Sequence, residues 1–320
     1  MNIKDRVFDK SQTKNAPAKE KKFPRVSIGM PVYNGELFIR EALDSLLEQT
    51  FTNFELIISD NASTDSTKVI CREYAAKDSR IRYVRQVENR GALANFQFVL
   101  DEAVGEYFMW AAADDLQTPD FIELLVTALD DNPSFVCVMS DVINVKDSIK
   151  NNSFESVLDD IRINDVKENW AKCRRRFFRN PTSNIFFCIY GIFRTKIIKS
   201  IELNYNNLTK YYSSNEVAIL AQIAARGQVA SIPKLAKIYR RNDLSVYHQE
   251  QKILKFKDRL VGFISVSLSL FLIALRSNFS IYQKLTLIGT TAIAGFRGPA
   301  IFFLIKIYQS LRNTLTFKKK

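Results

Sequence analysis

Between residues 25 and 130, a short apolar strand pattern, a polar loop and an amphipathic helix pattern follow one another four times. RVSIGM (25–30) leads through PVYNG to a helix expected over 36–48, and FELIIS (54–59) through DNASTD to a helix ending near 76. IRYVRQ (81–86) leads through ENRG to a helix over 92–103. EYFMWAA (106–112) leads through ADDLQ to a helix over 119–130, for which Thr118 reads as the N-cap and Pro119 as the first helical residue. A fifth strand pattern, SFVCVMSD, covers 134–141. Strands separated by helices pair in parallel through right-handed crossovers, so the fold class is α/β: a Rossmann-like, mostly parallel sheet flanked by helices. The loops differ in chemistry, which excludes a repeat protein.

Beyond residue 141 the pattern weakens. NIFFCIYGIF (184–193) is strand-like, a helix is expected over 215–226, and GQVASIP leads into strand-like KLAKIYR. Residues 1–22 are polar and Lys-rich without apolar periodicity and read as a disordered leader, followed by one domain over 23–248. Residues 249–320 are of another kind. They carry twelve Lys/Arg against two Asp/Glu, which is +10 of the chain's net +12. An uncharged run at 260–275 and an apolar region at 285–305 sit among these basic residues. Both fall short of the ~20 apolar residues that span a bilayer. A C-terminal apolar and basic helical extension, lying on membrane lipid, is the expectation. With the charge concentrated there, the first 248 residues are near neutral and no nucleic acid is expected as a partner.

Four scattered cysteines without CxxC spacing, and no signal-peptide pattern, point to reduced thiols in the cytoplasm. A single histidine, His248, disfavours a His-ligated metal or a His-based triad. Any metal is expected on oxygen ligands, as Mn²⁺ or Mg²⁺.

In an open α/β sheet, ligands bind beyond the carboxyl ends of the strands. The four loops PVYNG, DNASTD, ENRG and ADDLQ occupy that edge, which brings Asn34, Asp60, Asn89 with Arg90, and the pair Asp114–Asp115 toward one cleft. Taken singly, Asp60 and Ser63 are helix-cap residues, Asn34-Gly35 is a turn pair and Arg90 is a surface charge. The aspartate pair is different: two adjacent like charges repel unless a cation or separate partners relieve them.

In this order and spacing, PVYN (31–34), the strand with DNASTD (56–65), ENRGALAN (88–95), GEYFMWAAADD (105–115), NEVAILAQIAARG (215–227) and YRRNDLS (239–245) resemble the family 2 glycosyltransferases of GT-A fold, which are inverting enzymes that include bacterial polysaccharide transferases. The resemblance implies a nucleotide-sugar donor, held by Pro31, Val32, Tyr33, Asn34, Glu36, Asp60, Asn61, Arg90 and Asp114. It implies a metal at Asp115 with Asp114, a catalytic base at Glu216, and a glycan or lipid-linked acceptor at the inner face of the cell membrane. Two positions depart from the family pattern. Ala112 stands where many members have the first acid, and Glu216 stands where Asp is more common. The competing reading is a membrane-associated, nucleotide-binding scaffold whose transferase site has decayed. A dinucleotide oxidoreductase is disfavoured because no GxGxxG follows the first strand.

Overall fold

A computed structural model describes residues 23–146, 189–203, 219–220, 222–223 and 225–241. The expectations for 1–22, for Glu216 and for 249–320 lie outside the described residues. The strands are β1 (Val26–Val32), β2 (Phe54–Asp60), β3 (Ile81–Arg85), β4 (Tyr107–Trp110), β5 (Leu116–Gln117), β6 (Phe135–Lys146), β7 (Ile192–Arg194) and β8 (Gln228–Arg241). The helices are α1 (Ile39–Leu47), α2 (Thr67–Lys77), α3 (Ala92–Asp101), α4 (Phe121–Asp131) and the single turn α5 (Thr195–Ile198).

All eight strands form one sheet in the order β3-β2-β1-β4-β7-β6-β8-β5. The pairings β1–β2, β2–β3, β1–β4 and β6–β8 are parallel. The short β7 runs antiparallel to both β4 and β6, and the two-residue β5 antiparallel to β8. The six longer strands therefore all point one way, and their carboxyl ends share one edge. Chain order runs outward from β1 through β2 to β3 and then returns to place β4 on β1's other side. That reversal puts the topological switch point, where open α/β sheets take their ligands, between the loops that follow β1 and β4.

Both faces of the sheet are buried, and alternate residues serve opposite faces. Leu56 and Ile58, with Tyr107 and Met109, pack with Leu43 and Leu46 of α1, Ile70 of α2 and Leu125 of α4. Ile57, Phe108 and Trp110 face the other way, toward Val99 and Leu100 of α3, Phe193 and Ile223. Where β4 begins it comes very close to β1. A Cβ on Gly105 would lie 2.7 Å from the Ser27 backbone nitrogen, so a glycine is needed for that approach.

Several boundaries shift for identifiable reasons. α1 starts at Ile39, later than expected, because the backbone N–H groups of Gly35 and Glu36 donate to Thr67 Oγ1 and Asp65 Oδ2 across the loop. Thr118 is not the cap of α4. Its N–H donates to Ala236 O, continuing the β5–β8 pairing, and α4 begins at Phe121 after Asp120. GQVASIP and KLAKIYR merge into β8. The register slips between the Ser140–Ile232 and Asp141–Leu235 pairs, which lets Pro233 sit in an irregularity where no ladder hydrogen bond is required. Of the run at 184–193, residues 184–188 lie outside the described residues and Ile192–Phe193 enter β7.

Candidate active site

The loops after β1, β2 and β3 are stitched together at the carboxyl edge. Asn34 holds a left-handed backbone (φ 52°), and its Oδ1 accepts from the Thr64 backbone at 2.8 Å while its own N–H donates to Ser63 Oγ at 2.9 Å. The Glu36 carboxylate accepts the Ser66 N–H at 2.9 Å, one residue before α2 begins. Asn61 is buried and ties in the third loop, donating to Asn89 Oδ1 and Gly91 O and accepting the Arg90 N–H. The fourth loop lies against the first, with Ala113 Cβ 3.6 Å from where a Cβ on Gly35 would stand. Tyr33 and Arg90 are exposed at this edge, Pro31 is half-buried, and Val32 belongs to the core.

Asp60 is fully buried, and its register explains its partners. β2–β3 pairing places Arg85 directly opposite it. Oδ2 accepts from Arg85 Nη1 at 2.6 Å and from the Tyr83 hydroxyl at 2.7 Å, and Oδ1 accepts the Ser63 N–H at 2.8 Å. Burial pushes this carboxyl up, but the hydrogen bonds from Ser63, Tyr83 and Arg85 outweigh it and hold the group below the usual carboxylate range. Asp60 is thus an ionised anchor for the β2–β3 edge, not the cap of α2. Arg85 was not among the residues singled out from the sequence. Its signal was the length of IRYVRQ, which brings an arginine level with Asp60.

The aspartate pair divides in two. Asp115 is fully buried, with Lys237 Nζ 2.9 Å from its Oδ2 and the Arg240 N–H donating to its Oδ1 at 3.2 Å. Arg240 turns its guanidinium to Glu41 of α1 at 2.5 Å. Asp114 is half-buried. Burial and the adjacent Asp115 charge push its carboxyl up to about 7, against a partial pull downward from Lys237 and Arg240. Lys237 and Arg240 were not assigned from sequence, because the β5–β8 pairing that delivers them joins segments more than a hundred residues apart.

A divalent ion that holds a diphosphate needs only one or two carboxylates and keeps water and phosphate oxygens for the rest. Asp114–Asp115 is a donor set of that kind, although no group of three or more candidate ligands occurs among the described residues. Gln117 Nε2 and Arg240 Nη1 are buried here without a hydrogen bond, whereas Lys237 Nζ and Asp115 Oδ2 meet as an ion pair. Polar atoms in that condition suit a site that receives a polar ligand.

The sheet order, the switch point and the polar loops beyond it define an α/β protein of GT-A fold. The sequence profile described as Glycosyl transferase family 2 matches residues 27–201, and the chain belongs to that family. It is 28% identical over 234 residues to an uncharacterized glycosyltransferase of Haemophilus influenzae, covering 71% of this chain and 70% of that one. It is 38% identical over 108 residues to the putative glycosyltransferase EpsE of Bacillus subtilis, which covers 33% of this chain and 39% of EpsE. Against GlyA of Streptococcus pneumoniae the match spans only 14% of the relative's length.

Among solved structures, S. aureus TarS 1–349 in complex with UDP-GlcNAc superposes with a TM-score of 0.62 at 17% identity, covering 83% of this chain and 71% of TarS 1–349. The mannosyltransferase PcManGT of Pyrobaculum calidifontis, in complex with GDP-Man and Mn²⁺, gives 0.52 at 17% identity, with 91% and 81% covered. At such identities the likeness shows the fold alone. The chain is a glycosyltransferase by family.

A carboxyl that binds its proton more readily folded than unfolded costs stability once ionised. For Asp114 the cost is present above about pH 7 and is relieved as pH falls toward the ordinary value of 3.8. Asp114→Asn should therefore raise the metal-free Tm by a few degrees near pH 8 and by clearly less near pH 5. Differential scanning fluorimetry in EDTA at the two pH values checks this.

Proposed function

We propose that the chain is an inverting glycosyltransferase that moves a sugar from a nucleoside-diphosphate donor, UDP-linked by preference, to a hydroxyl of a lipid-linked or polysaccharide acceptor. The observation that carries the reading is the convergence of four polar loops at the carboxyl edge beside the β1–β4 switch point, with a carboxylate pair at one end. Relatives of this fold support it: TarS is seen with UDP and with UDP-GlcNAc, and PcManGT with GDP-Man and Mn²⁺.

In this reading Pro31, Val32, Tyr33 and Asn34 border the base and ribose. Asp60 and Asn61 hold the second and third loops in place behind them, Glu36 supports the first loop, and Arg90 reaches the diphosphate from the rim. The Asp114–Asp115 pair is where the chain supplies a carboxylate to Mn²⁺ or Mg²⁺. The bound ion would neutralise charge on the departing diphosphate as a Lewis acid. Glu216 takes the proton from the acceptor hydroxyl as its oxygen attacks the anomeric carbon and the bond to the diphosphate breaks. A single displacement inverts that carbon and requires no enzyme nucleophile. Ala112, in place of an acid, removes one carboxylate from the rim and leaves the pair intact.

The domain runs over 23–248, and the basic, apolar segment 249–320 rests on lipid at the inner membrane face, close to a membrane-bound acceptor. No helix among the described residues is long and apolar enough to cross a membrane.

Calorimetric titration should show UDP binding more tightly than GDP, in a manner that depends on Mn²⁺. Glu216→Gln should keep that binding and lower kcat by about 10²–10⁴. Failure of either nucleotide to bind with or without metal would remove the transferase reading; binding without any turnover would favour a decayed scaffold. Truncation after residue 259 should shift the protein from the membrane to the soluble fraction, and unchanged partitioning would contradict the role given to the tail.

A further inference from the structure

The fold has already supplied a cation to one member of the aspartate pair. Asp115 and Lys237 are 0% and 1% exposed, and their charged atoms are 2.9 Å apart. The ammonium lies 4.4 Å over the Tyr190 ring, so an aromatic face closes it off on another side. Register brings it there, because Lys237 pairs with Gln117, two residues beyond Asp115. The Arg240 N–H takes the other carboxylate oxygen. The Arg240 guanidinium does not compete, being held by Glu41 and stacked 4.5 Å over Phe38. A divalent ion approaching Asp115 Oδ2 would meet an ammonium at contact distance, in a setting where like charges repel strongly. Asp114, the adjacent carboxylate, remains partly accessible.

We infer that Lys237 is the built-in counter-ion of Asp115, so that Asp115 acts as a positioning residue fixing the β4–β5 turn against β8, and the metal–diphosphate of the donor is held through Asp114. The inference rests on the transferase reading for its ligand, but the ion pair itself is independent of it. In this arrangement the two neighbouring aspartates do different work. One is neutralised by the protein and locks the loop, and the other meets the ligand. This also accounts for the tolerance of Ala112, since a site that draws one carboxylate from the chain relies on diphosphate and water for its remaining oxygens.

Two measurements on the full chain test this. The first is a metal-free thermal cycle of Asp115→Asn, Lys237→Met and the double variant. Each single change leaves a buried charge or amide without its partner and lowers Tm, and the double variant should recover most of the loss. Losses that simply add would overturn the pair. The second follows Mn²⁺ in the presence of UDP by electron paramagnetic resonance of the free ion. The double variant should keep Mn²⁺ affinity within about threefold of the parent, whereas Asp114→Asn should lose about tenfold or more. Lys237→Met alone should show a larger Mn²⁺-induced rise in Tm than the parent, because Asp115 is released to the ion; a purely structural lysine would leave that rise unchanged. Loss of Mn²⁺ in the double variant with retention in Asp114→Asn would overturn the assignment. A parent protein that binds no UDP would remove the transferase reading and the ligand role of Asp114, while the metal-free cycle would still decide the Asp115–Lys237 pair.

Discussion

Two fully buried carboxylates, Asp60 and Asp115, stand at the carboxyl edge of the sheet, and the rest of the site depends on how they are neutralised. Each receives a cation from a separate strand. Arg85 of β3 reaches Asp60 at the end of β2, and Lys237 of β8 reaches Asp115 after β4. An uncompensated charge in such a place costs several kcal/mol. Strand registers that misplaced either cation would therefore be strongly disfavoured. A slip of one residue along β3 or β8 would turn the cation to the opposite face. The two pairs thus favour the registers in which the loops meet, on either side of the β1–β4 switch point.

Around those anchors the loops are held mainly by side chains on backbone groups. Asn34, Glu36 and Asn61 each accept an N–H group from a neighbouring loop, and Asp60 at the end of β2 accepts the Ser63 N–H of the loop that follows it. Loops tied in this way form one rim. A rigid, polar rim beside a topological switch point is suited to receiving a diphosphate and its sugar with little ordering cost at the moment of binding. The exposed Tyr33 and Arg90 then stand on a fixed base.

The parallel half of the fold was legible because its evidence is local. Alternation of helix and strand patterns between 25 and 130 gave all four early strands and helices within a few residues, and the edge loops followed from the fold rule. What was not legible is carried by long-range pairing. Nothing near Leu116–Gln117 marks a two-residue strand, since that strand exists only because β8 lies beside it. Lys237 reads in sequence as one lysine of an alternating strand, and its burial is set by Asp115 on a distant segment. Thr118 had the chemistry of a cap and lost that role to the same pairing. The aspartate pair was recognised as a charge problem; which half of it the protein solves internally required the register.

Whether a nucleotide binds where these loops meet can be read by hydrogen–deuterium exchange with and without UDP and Mn²⁺, which reports on every backbone segment at once. Exchange should slow on ligand addition at 31–36, 60–64, 86–91 and 111–117, with the opposite, amino-terminal edge of the sheet unchanged. Protection confined to other segments, or none at ligand concentrations up to the millimolar range, would contradict binding there.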